Sequence, residues 1–197
     1  MTYMMKLEKL VDENGGLIRT RDAEAAGIPR KYISMMARAG KLERLSQGIY
    51  LSPNAFEDRL FRLQLRCSNG VYSHETALFL ADLSDREPQI SMMTVPSGYN
   101  ARHLTGEPIK LFYIQGGLMD LGKTTVNTLF GRTVNCYNRE RTLCDLLRSR
   151  SQMDPALLNA AFKLYLRGSE KNLSLLFDYS AQLGVQKLAK SYLEVLL

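Results

Sequence analysis

The fold of the N-terminal region is decided by residues 29–51, which read PRKYISMMARAGKLERLSQGIYL. Proline is favoured in the first turn of a helix, and glycine is favoured just after the last turn. The stretch therefore predicts a helix over Pro29–Ala39 that ends at Gly40. The residues after it predict a hairpin, with strands Lys41–Leu45 and Ile49–Leu51 joined by a glycine-containing turn.

The predicted helix has two unlike faces. Ile33, Met36 and Ala37 recur at the helical period and form an apolar stripe. The opposite face carries three long cations and a hydroxyl group, which belong to Arg30, Lys31, Ser34 and Arg38. No acidic residue interrupts residues 28–42. Such a helix is what recognition of a DNA major groove requires, although a charged face of this size can also be only a solvated surface.

Two more helices are predicted before this stretch. The first covers Met4–Glu13, and the second is short, with Thr20 as its N-cap and its end at Gly27. Three helices and a hairpin are the order of a winged helix-turn-helix domain, here residues 1–52, although a small helical bundle with a terminal hairpin has the same periodicity. The predicted DNA-binding residues are Arg21, Arg30, Lys31, Ser34, Arg38, Lys41, Arg44 and Gln47.

Residues 53–197 are predicted to form a second domain. A helix over Ala55–Arg66 opens it, and Ser73 caps the next helix. Within residues 70–137, four strand-like runs separated by glycine and proline predict a small sheet: Ile90–Val95, Ile109–Ile114, Thr124–Leu129 and Thr133–Tyr137. Helices are then expected near residues 139–149, 155–167, 170–183 and 185–196. The fold class is α+β, a winged helix-turn-helix followed by a mixed α/β domain that ends in a helical bundle.

Composition narrows the classes of function. No apolar run reaches the about 18 residues of a membrane span, and the first residues lack the pattern of a signal peptide. The three cysteines and two histidines lack metal-ligand spacing, so we expect no metal, no cofactor and reduced thiols in a cytoplasm. The net charge of +6 comes from residues 1–52 and 139–197, while the middle is neutral. This distribution permits a polyanionic partner without requiring one.

Residues 117–124, GLMDLGKT, match the pattern GxxxxGK[ST] of phosphate-binding loops. That pattern works only where a helix follows the loop, because the N–H groups at the helix start face the phosphate. Here Thr124–Thr128 is β-branched and strand-like. We therefore expect a β-hairpin with Gly122 and Lys123 at its turn, and no bound nucleotide.

Other catalytic chemistry is also sparse in the sequence. His74 and Glu75 stand at the start of a predicted helix, where we expect them to be capping and solvent-facing residues. No set of acids with a lysine stands at neighbouring strand ends, as a metal-dependent nuclease would need. The sequence therefore predicts a protein that is not an enzyme.

Three segments stand in a specific order along the chain. They are Ala26–Ile28 with Arg38–Arg44 and Gln47–Tyr50; Tyr72–Leu78 with Leu83–Asp85 and Pro88; and Arg139–Asp145. Together they resemble the AbiEi-type antitoxins of the abortive-infection (type IV) toxin–antitoxin systems, which act in phage defence. The first segment is similar to that family's winged-helix start, and the third to its ERT…D segment.

The resemblance implies a repressor that binds double-stranded DNA at its own promoter, at an operator with inverted repeats. It also implies that the C-terminal domain counteracts a nucleotidyltransferase-like toxin without a stable complex. The residues expected on this antitoxin surface are Arg139, Arg141, Arg148, Arg150, Lys163 and Arg167. Alternatively, Arg139–Asp145 is a structural helix on which Arg141 and Asp145 pair for about a few tenths of a kcal/mol. The alternative function is a DNA-associated enzyme, nuclease-like or NTPase, that the winged helix targets to DNA.

Overall fold

The computed structural model describes residues 2–196, and the chain divides into two units between Glu57 and Asp58. The boundary expected from the sequence, between residues 52 and 53, lies slightly earlier. Residues 52–55 stay with the first unit because the Ser52 N–H donates to the Gly16 carbonyl at 2.7 Å, and the Ala55 N–H donates to the Ser52 carbonyl at 2.9 Å.

The first unit has the element order and sheet of a winged helix. Its elements are α1 (Tyr3–Glu13), β1 (Leu17–Arg19), α2 (Thr20–Ala25), α3 (Arg30–Arg38), β2 (Glu43–Ser46) and β3 (Ile49–Leu51). The strands form an antiparallel sheet of order β1-β3-β2, and β2 and β3 are the expected hairpin, hereafter the wing. The sequence does not predict β1, because three residues are too few to show a period of two.

Local sequence explains the helix starts of this unit. The Thr2 hydroxyl accepts a hydrogen bond from the Met5 N–H at 3.3 Å and caps α1. Thr20, the expected cap of α2, is instead its first helical residue, because the chain passes into the helix directly from β1. The core of the unit consists of Leu7, Val11, Ile18, Ala23, Ile28, Ile33, Met36 and Leu42. Since Ile33 and Met36 point into this core, the cationic face of α3 is turned outward.

The second unit is a mixed sheet with helices. Its elements are α4 (Arg59–Arg66), β4 (Val71–Tyr72), α5 (His74–Leu80), β5 (Ser91–Pro96), β6 (Ile109–Ile114), β7 (Lys123–Asn127), β8 (Thr133–Tyr137), α6 (Arg139–Arg148), α7 (Pro155–Arg167), α8 (Leu173–Gln182) and α9 (Gln186–Leu196). Helix α4 begins later than expected because the Asp58 carboxylate accepts from the Phe61 N–H at 2.9 Å and acts as its N-cap. The largest apolar cluster lies among α5, α6 and the C-terminal helices.

The sheet of the second unit has the order β6-β5-β4-β8-β7. The pairs β5–β6 and β4–β8 are parallel, whereas β4–β5 and β7–β8 are antiparallel. The hairpin is therefore β7–β8, and its turn lies after Asn127. The expected hairpin turn at Gly122 and Lys123 is wrong, because β6 and β7 lie at opposite edges of the sheet and Lys123 is already the first residue of β7.

Two findings bear on the function classes. Among residues 2–196, no helix is both long and apolar enough to cross a membrane. Within the same residues, no three His, Cys, Asp or Glu side chains come together in a way that could hold a metal ion. The three cysteines are free and buried.

Candidate nucleic-acid interface

The outward face of α3 carries the residues that the sequence predicts for base recognition. Arg30, Lys31, Ser34 and Arg38 are all exposed. A fifth exposed residue, Met35, was not among the predicted set, and its side chain is 51% accessible. Its position one turn after Lys31 puts it on the same face. A methionine there can contact an apolar group such as the methyl of thymine.

A groove separates α3 from the wing and gathers residues from both. Its volume is about 280 Å³, and its walls are Thr20, Arg30, Ile33, Ser34, Arg44, Gln47, Gly48 and Tyr50. The structure thus brings together four of the predicted residues, Arg30, Ser34, Arg44 and Gln47. Gly48 adopts a positive φ of 72° at the turn, which tightens the wing next to the groove.

The lysine and arginine side chains of this unit differ in whether an acidic side chain already forms an ion pair with them. The Arg30 Nε donates to Glu24 Oε1 at 2.5 Å. Arg21 Nε lies 3.9 Å from Asp22 Oδ1, too far for a hydrogen bond. In the described part of the chain, Lys31 and Arg38 have no acidic group within 4.0 Å, so their charges are free for a ligand.

Lys41 stands apart from the other predicted residues. Its Nζ donates to Glu8 Oε1 of α1 at 2.7 Å. It lines a second groove, which α1 and residues 52–54 also line, and it does not line the groove between α3 and the wing. The structure therefore does not bring Lys41 to the same place as Arg44 and Gln47.

In the second unit, most of the predicted surface cations are accessible. Arg148, Arg150, Lys163 and Arg167 are exposed. Arg139 is half-buried, and its guanidinium donates to Glu170 Oε2 at 2.7 Å and to the Ala81 carbonyl at 3.2 Å. These four exposed cations make the surface basic at the C-terminal end of α6 and along α7.

Arg141 does not lie on a surface, so its expected place on the antitoxin surface is wrong. Its side chain is fully buried. Its Nη1 donates to the carbonyls of Leu118 and Leu121 at 2.8 and 2.7 Å, and its guanidinium lies 4.1 Å from the centre of the Tyr137 ring. A guanidinium suits this position because it offers several donors in one plane. Arg141 therefore has a structural role, anchoring the loop before β7 to α6.

The same loop contains most of residues 117–124, which match the sequence pattern of a phosphate-binding loop. Gly122 has a φ of 72°, and a Cβ at this position would lie 2.6 Å from the Cβ of Arg141. Lys123 points its Nζ to within 3.4 Å of Asp120 Oδ1 and starts a strand, so no helix follows the loop. The glycine serves close packing on α6, and the geometry of a phosphate-binding loop is not formed.

His74 is the residue that sequence reasoning missed. It is buried at 2% accessibility, so the expectation that it faces solvent is wrong. Its ring stacks on Phe112 with 3.6 Å between centroids, and its φ is 52°. Burial, followed by the charges of Lys110 and Arg148, lowers the pKa of His74 to about 3, so the imidazole is neutral. The signal in the sequence was the cluster of polar residues Ser73–Thr76 directly after a strand.

Comparison with known proteins gives a family match in the first unit and a solved structure with a similar fold. Residues 5–53 match a family model described as a transcriptional regulator, AbiEi antitoxin. Among solved structures, the chain is similar to the RV2827C protein from Mycobacterium tuberculosis, with a TM-score of 0.63, 15% sequence identity, and coverage of 92% of this chain and 72% of that chain. At that identity the likeness concerns the fold alone. No curated protein sequence matches the chain.

Proposed function

We propose a function from the match of residues 5–53 to the family model of the AbiEi antitoxin transcriptional regulators. The chain binds its own promoter through α3 and the wing and represses its operon, while the second unit counteracts a nucleotidyltransferase-like toxin. The observation that carries the DNA-binding half is the exposed cationic face of α3 beside the groove that Arg44 and Gln47 line.

On this proposal α3 enters the major groove of the duplex. Lys31 and Arg38 have no acidic partner among residues 2–196, so they reach bases or phosphates without first breaking an ion pair. Ser34 lies between them on the exposed face and offers both a donor and an acceptor. The wing residues Arg44 and Gln47 contact the adjacent backbone, which positions the domain without reading sequence.

Arg30 has a different role, because Glu24 already accepts hydrogen bonds from both its Nε and its Nη2. A held guanidinium loses less rotamer freedom when it binds, and Arg30 still lines the groove. Arg30 therefore contributes to the choice among bases more than to the overall attraction for DNA. The inverted repeats expected in the operator would place two copies of α3 about one helical turn apart.

The second unit carries the antitoxin half of the proposal. Its exposed cations, Arg148, Arg150, Lys163 and Arg167, offer a contact for a polyanion, either operator-flanking DNA or an RNA on which the toxin acts. Neither contact requires a stable complex between antitoxin and toxin. The proposal includes no reaction on the DNA, so repression and toxin control need neither a divalent metal nor a nucleotide.

The test measures binding to the DNA upstream of this gene by fluorescence anisotropy. Lys31→Gln and Arg38→Gln should each weaken promoter binding by about fivefold or more, the effect of losing one specific contact. Lys9→Gln makes the same charge change at an exposed position of α1 and should leave the affinity within about twofold of wild type. Equal loss in all three variants would contradict the recognition-helix assignment, because it would reflect net charge alone.

A further inference from the structure

Two segments of the second unit that the sequence analysis singled out meet at one small pocket. Ser73 and His74 come from the start of α5, and Asp145, Arg148 and Ser149 come from the end of α6. The pocket has a volume of about 130 Å³ and is hereafter the His74 pocket. Its walls are His74, Thr94, Phe112, Tyr113, Ile114, Asp145, Arg148 and Ser149.

A chain of hydrogen bonds fixes the inner wall of this pocket. The Thr94 hydroxyl donates to Ser73 Oγ at 2.9 Å, and Ser73 Oγ lies 2.9 Å from His74 Nδ1. On the other side of the ring, His74 Nε2 lies 2.9 Å from Ser149 Oγ. Ser73, His74 and Thr94 are all buried. Non-glycine residues with a φ as positive as that of His74 are uncommon and concentrate at functional sites.

The charge around the pocket is predominantly positive. Arg148 stands at its mouth, with Nη1 3.8 Å from Asp145 Oδ1, longer than a hydrogen bond. Lys110 lies with its Nζ 5.0 Å from the centre of the Phe112 ring, which forms one wall. The Asp145 carboxylate is already engaged, since its Oδ2 accepts from Arg141 Nε at 3.1 Å. Because the positive charge of Arg141 neutralises the Asp145 carboxylate, the positive charges of Arg148 and Lys110 remain without a neutralising acid at this pocket.

We propose that the His74 pocket binds a phosphate group, with Arg148 as the main charged donor and Ser149 as a hydroxyl donor at its mouth. A phosphate monoester carries nearly two negative charges at neutral pH, which matches the two remaining cations. The pocket is smaller than the about 300–1,000 Å³ that whole small-molecule ligands occupy, so only the phosphate enters. The group belongs either to inorganic phosphate or to a mononucleotide whose remainder lies outside, beside the exposed ring of Tyr113.

This site shares Arg148 with the polyanion contact proposed for the second unit, and it is separate from the proposed contacts of α3 and the wing because all its residues lie after Asp58. Calorimetry on the full chain tests it, with inorganic phosphate and with adenosine 5′-monophosphate as separate titrants at constant ionic strength. Arg148→Gln removes the charged donor and should weaken binding about tenfold or more, and Ser149→Ala should weaken it about threefold to tenfold. His74 itself is left intact in these variants, and Arg148→Gln also keeps its hydrogen bonds, whereas Ser149→Ala removes the hydroxyl beside His74 Nε2.

Two control variants separate this pocket from other cations. Arg86→Gln makes the same charge change at an exposed side chain of the second unit that does not line the pocket, and should leave binding unchanged. Lys9→Gln, on α1 of the first unit, should leave it unchanged as well. The proposal is supported if either titrant binds, if Arg148→Gln weakens that binding, and if the two control variants do not. The titrant that binds then identifies the source of the phosphate. No saturable binding by either titrant, or equal weakening in Arg148→Gln and Arg86→Gln, overturns it.

Discussion

The side chains of Arg141 and Asp145 form an ion pair one helical turn apart on α6, with 3.1 Å between Nε and Oδ2 and side-chain exposures of 0% and 3%. The spacing is the one by which solvated pairs stabilise isolated helices slightly. Burial changes the energetics. Removing one partner of a buried pair leaves an uncompensated charge away from water, which costs far more than an exposed pair contributes.

We therefore expect Arg141→Met to lower the free energy of unfolding by about 3–5 kcal/mol, measured by denaturant titration. The variant also leaves the Leu118 and Leu121 carbonyls without their donor. Lys190→Met is the matched control, because Lys190 and Glu194 have the same spacing but side-chain exposures of 70% and 64%. It should change the stability by less than about 0.5 kcal/mol. Similar effects of the two variants would mean that the Arg141 pair is solvated.

A second prediction concerns the response of stability to pH. The pKa of His74 is lowered to about 3 by burial, so below pH about 6.5 the unfolded chain binds a proton that the folded chain does not. The contribution of His74 to stability is therefore full above that pH and is lost as the pH falls toward about 3. Burial raises the pKa of Asp145 to about 6, and this group acts in the opposite direction between about 4 and 6.

The two contributions can be separated by comparing variants. His74→Asn keeps a side chain that tolerates a positive φ but removes the titrating ring. The difference in unfolding free energy between wild type and His74→Asn should shrink by several kcal/mol as the pH falls from about 7 to about 4, since each unit of pKa shift is worth about 1.4 kcal/mol. A pH-independent difference would show that the imidazole of His74 titrates normally in the folded protein.

A third prediction isolates the packing of Gly122. Gly122 and Gly131 have φ values of 72° and 74°, so alanine is strained equally at both. Only at Gly122 would the new Cβ meet other atoms, 2.6 Å from the Arg141 Cβ, whereas nothing lies within 4 Å at Gly131. Gly122→Ala should therefore destabilise the protein by about 1–3 kcal/mol more than Gly131→Ala, the usual cost of overpacking. Equal thermal unfolding of the two variants would contradict the close approach of this loop to α6.

The sequence predicts those helices and strands whose hydrophobic pattern extends over several residues, and those contacts that join residues close together in the chain. Helix α3 and strand β6 are found within a residue of their expected bounds, because each shows its own period clearly. Strand β4 has only two residues and is defined by pairing with Met93, Thr94 and Cys136, which no local pattern reveals. Helix α8 begins later than expected because Asn172 caps it by accepting from the Leu175 N–H at 3.0 Å.

The residues of the candidate sites also differ in whether the sequence alone can predict them. The exposed face of α3 follows from helical spacing alone, so the sequence predicts Arg30, Ser34 and Arg38 together. Whether a cation is buried or exposed depends on elements distant in the chain. Arg141 is buried by the loop before β7, and the His74 ring is covered by Phe112 of β6. Such residues look like ordinary helix residues until the tertiary contacts are known.

A fourth prediction concerns Glu24, which holds Arg30. Glu24→Gln removes a negative charge near the proposed DNA surface and frees the guanidinium. Binding to unrelated DNA should become about twofold to fivefold tighter, because a repelling charge is lost. Binding to the promoter should gain less, so the ratio of specific to non-specific affinity should fall. Glu13→Gln on α1, where Glu13 pairs with Lys9 at 3.5 Å, is the matched control and should keep that ratio.

The last prediction separates the two proposed activities in the full chain. Because all four proposed α3 contacts lie in the first unit, the double variant Lys31→Gln/Arg38→Gln should lose promoter binding yet still protect cells that express the cognate toxin. A fragment of residues 58–197, checked for folding by circular dichroism, should protect as well, since it holds its own apolar core. A fragment of residues 1–57 should not protect, and its small core makes it only marginally stable. Protection by residues 1–57, or failure of a folded 58–197 fragment, would place the antitoxin activity in the first unit instead.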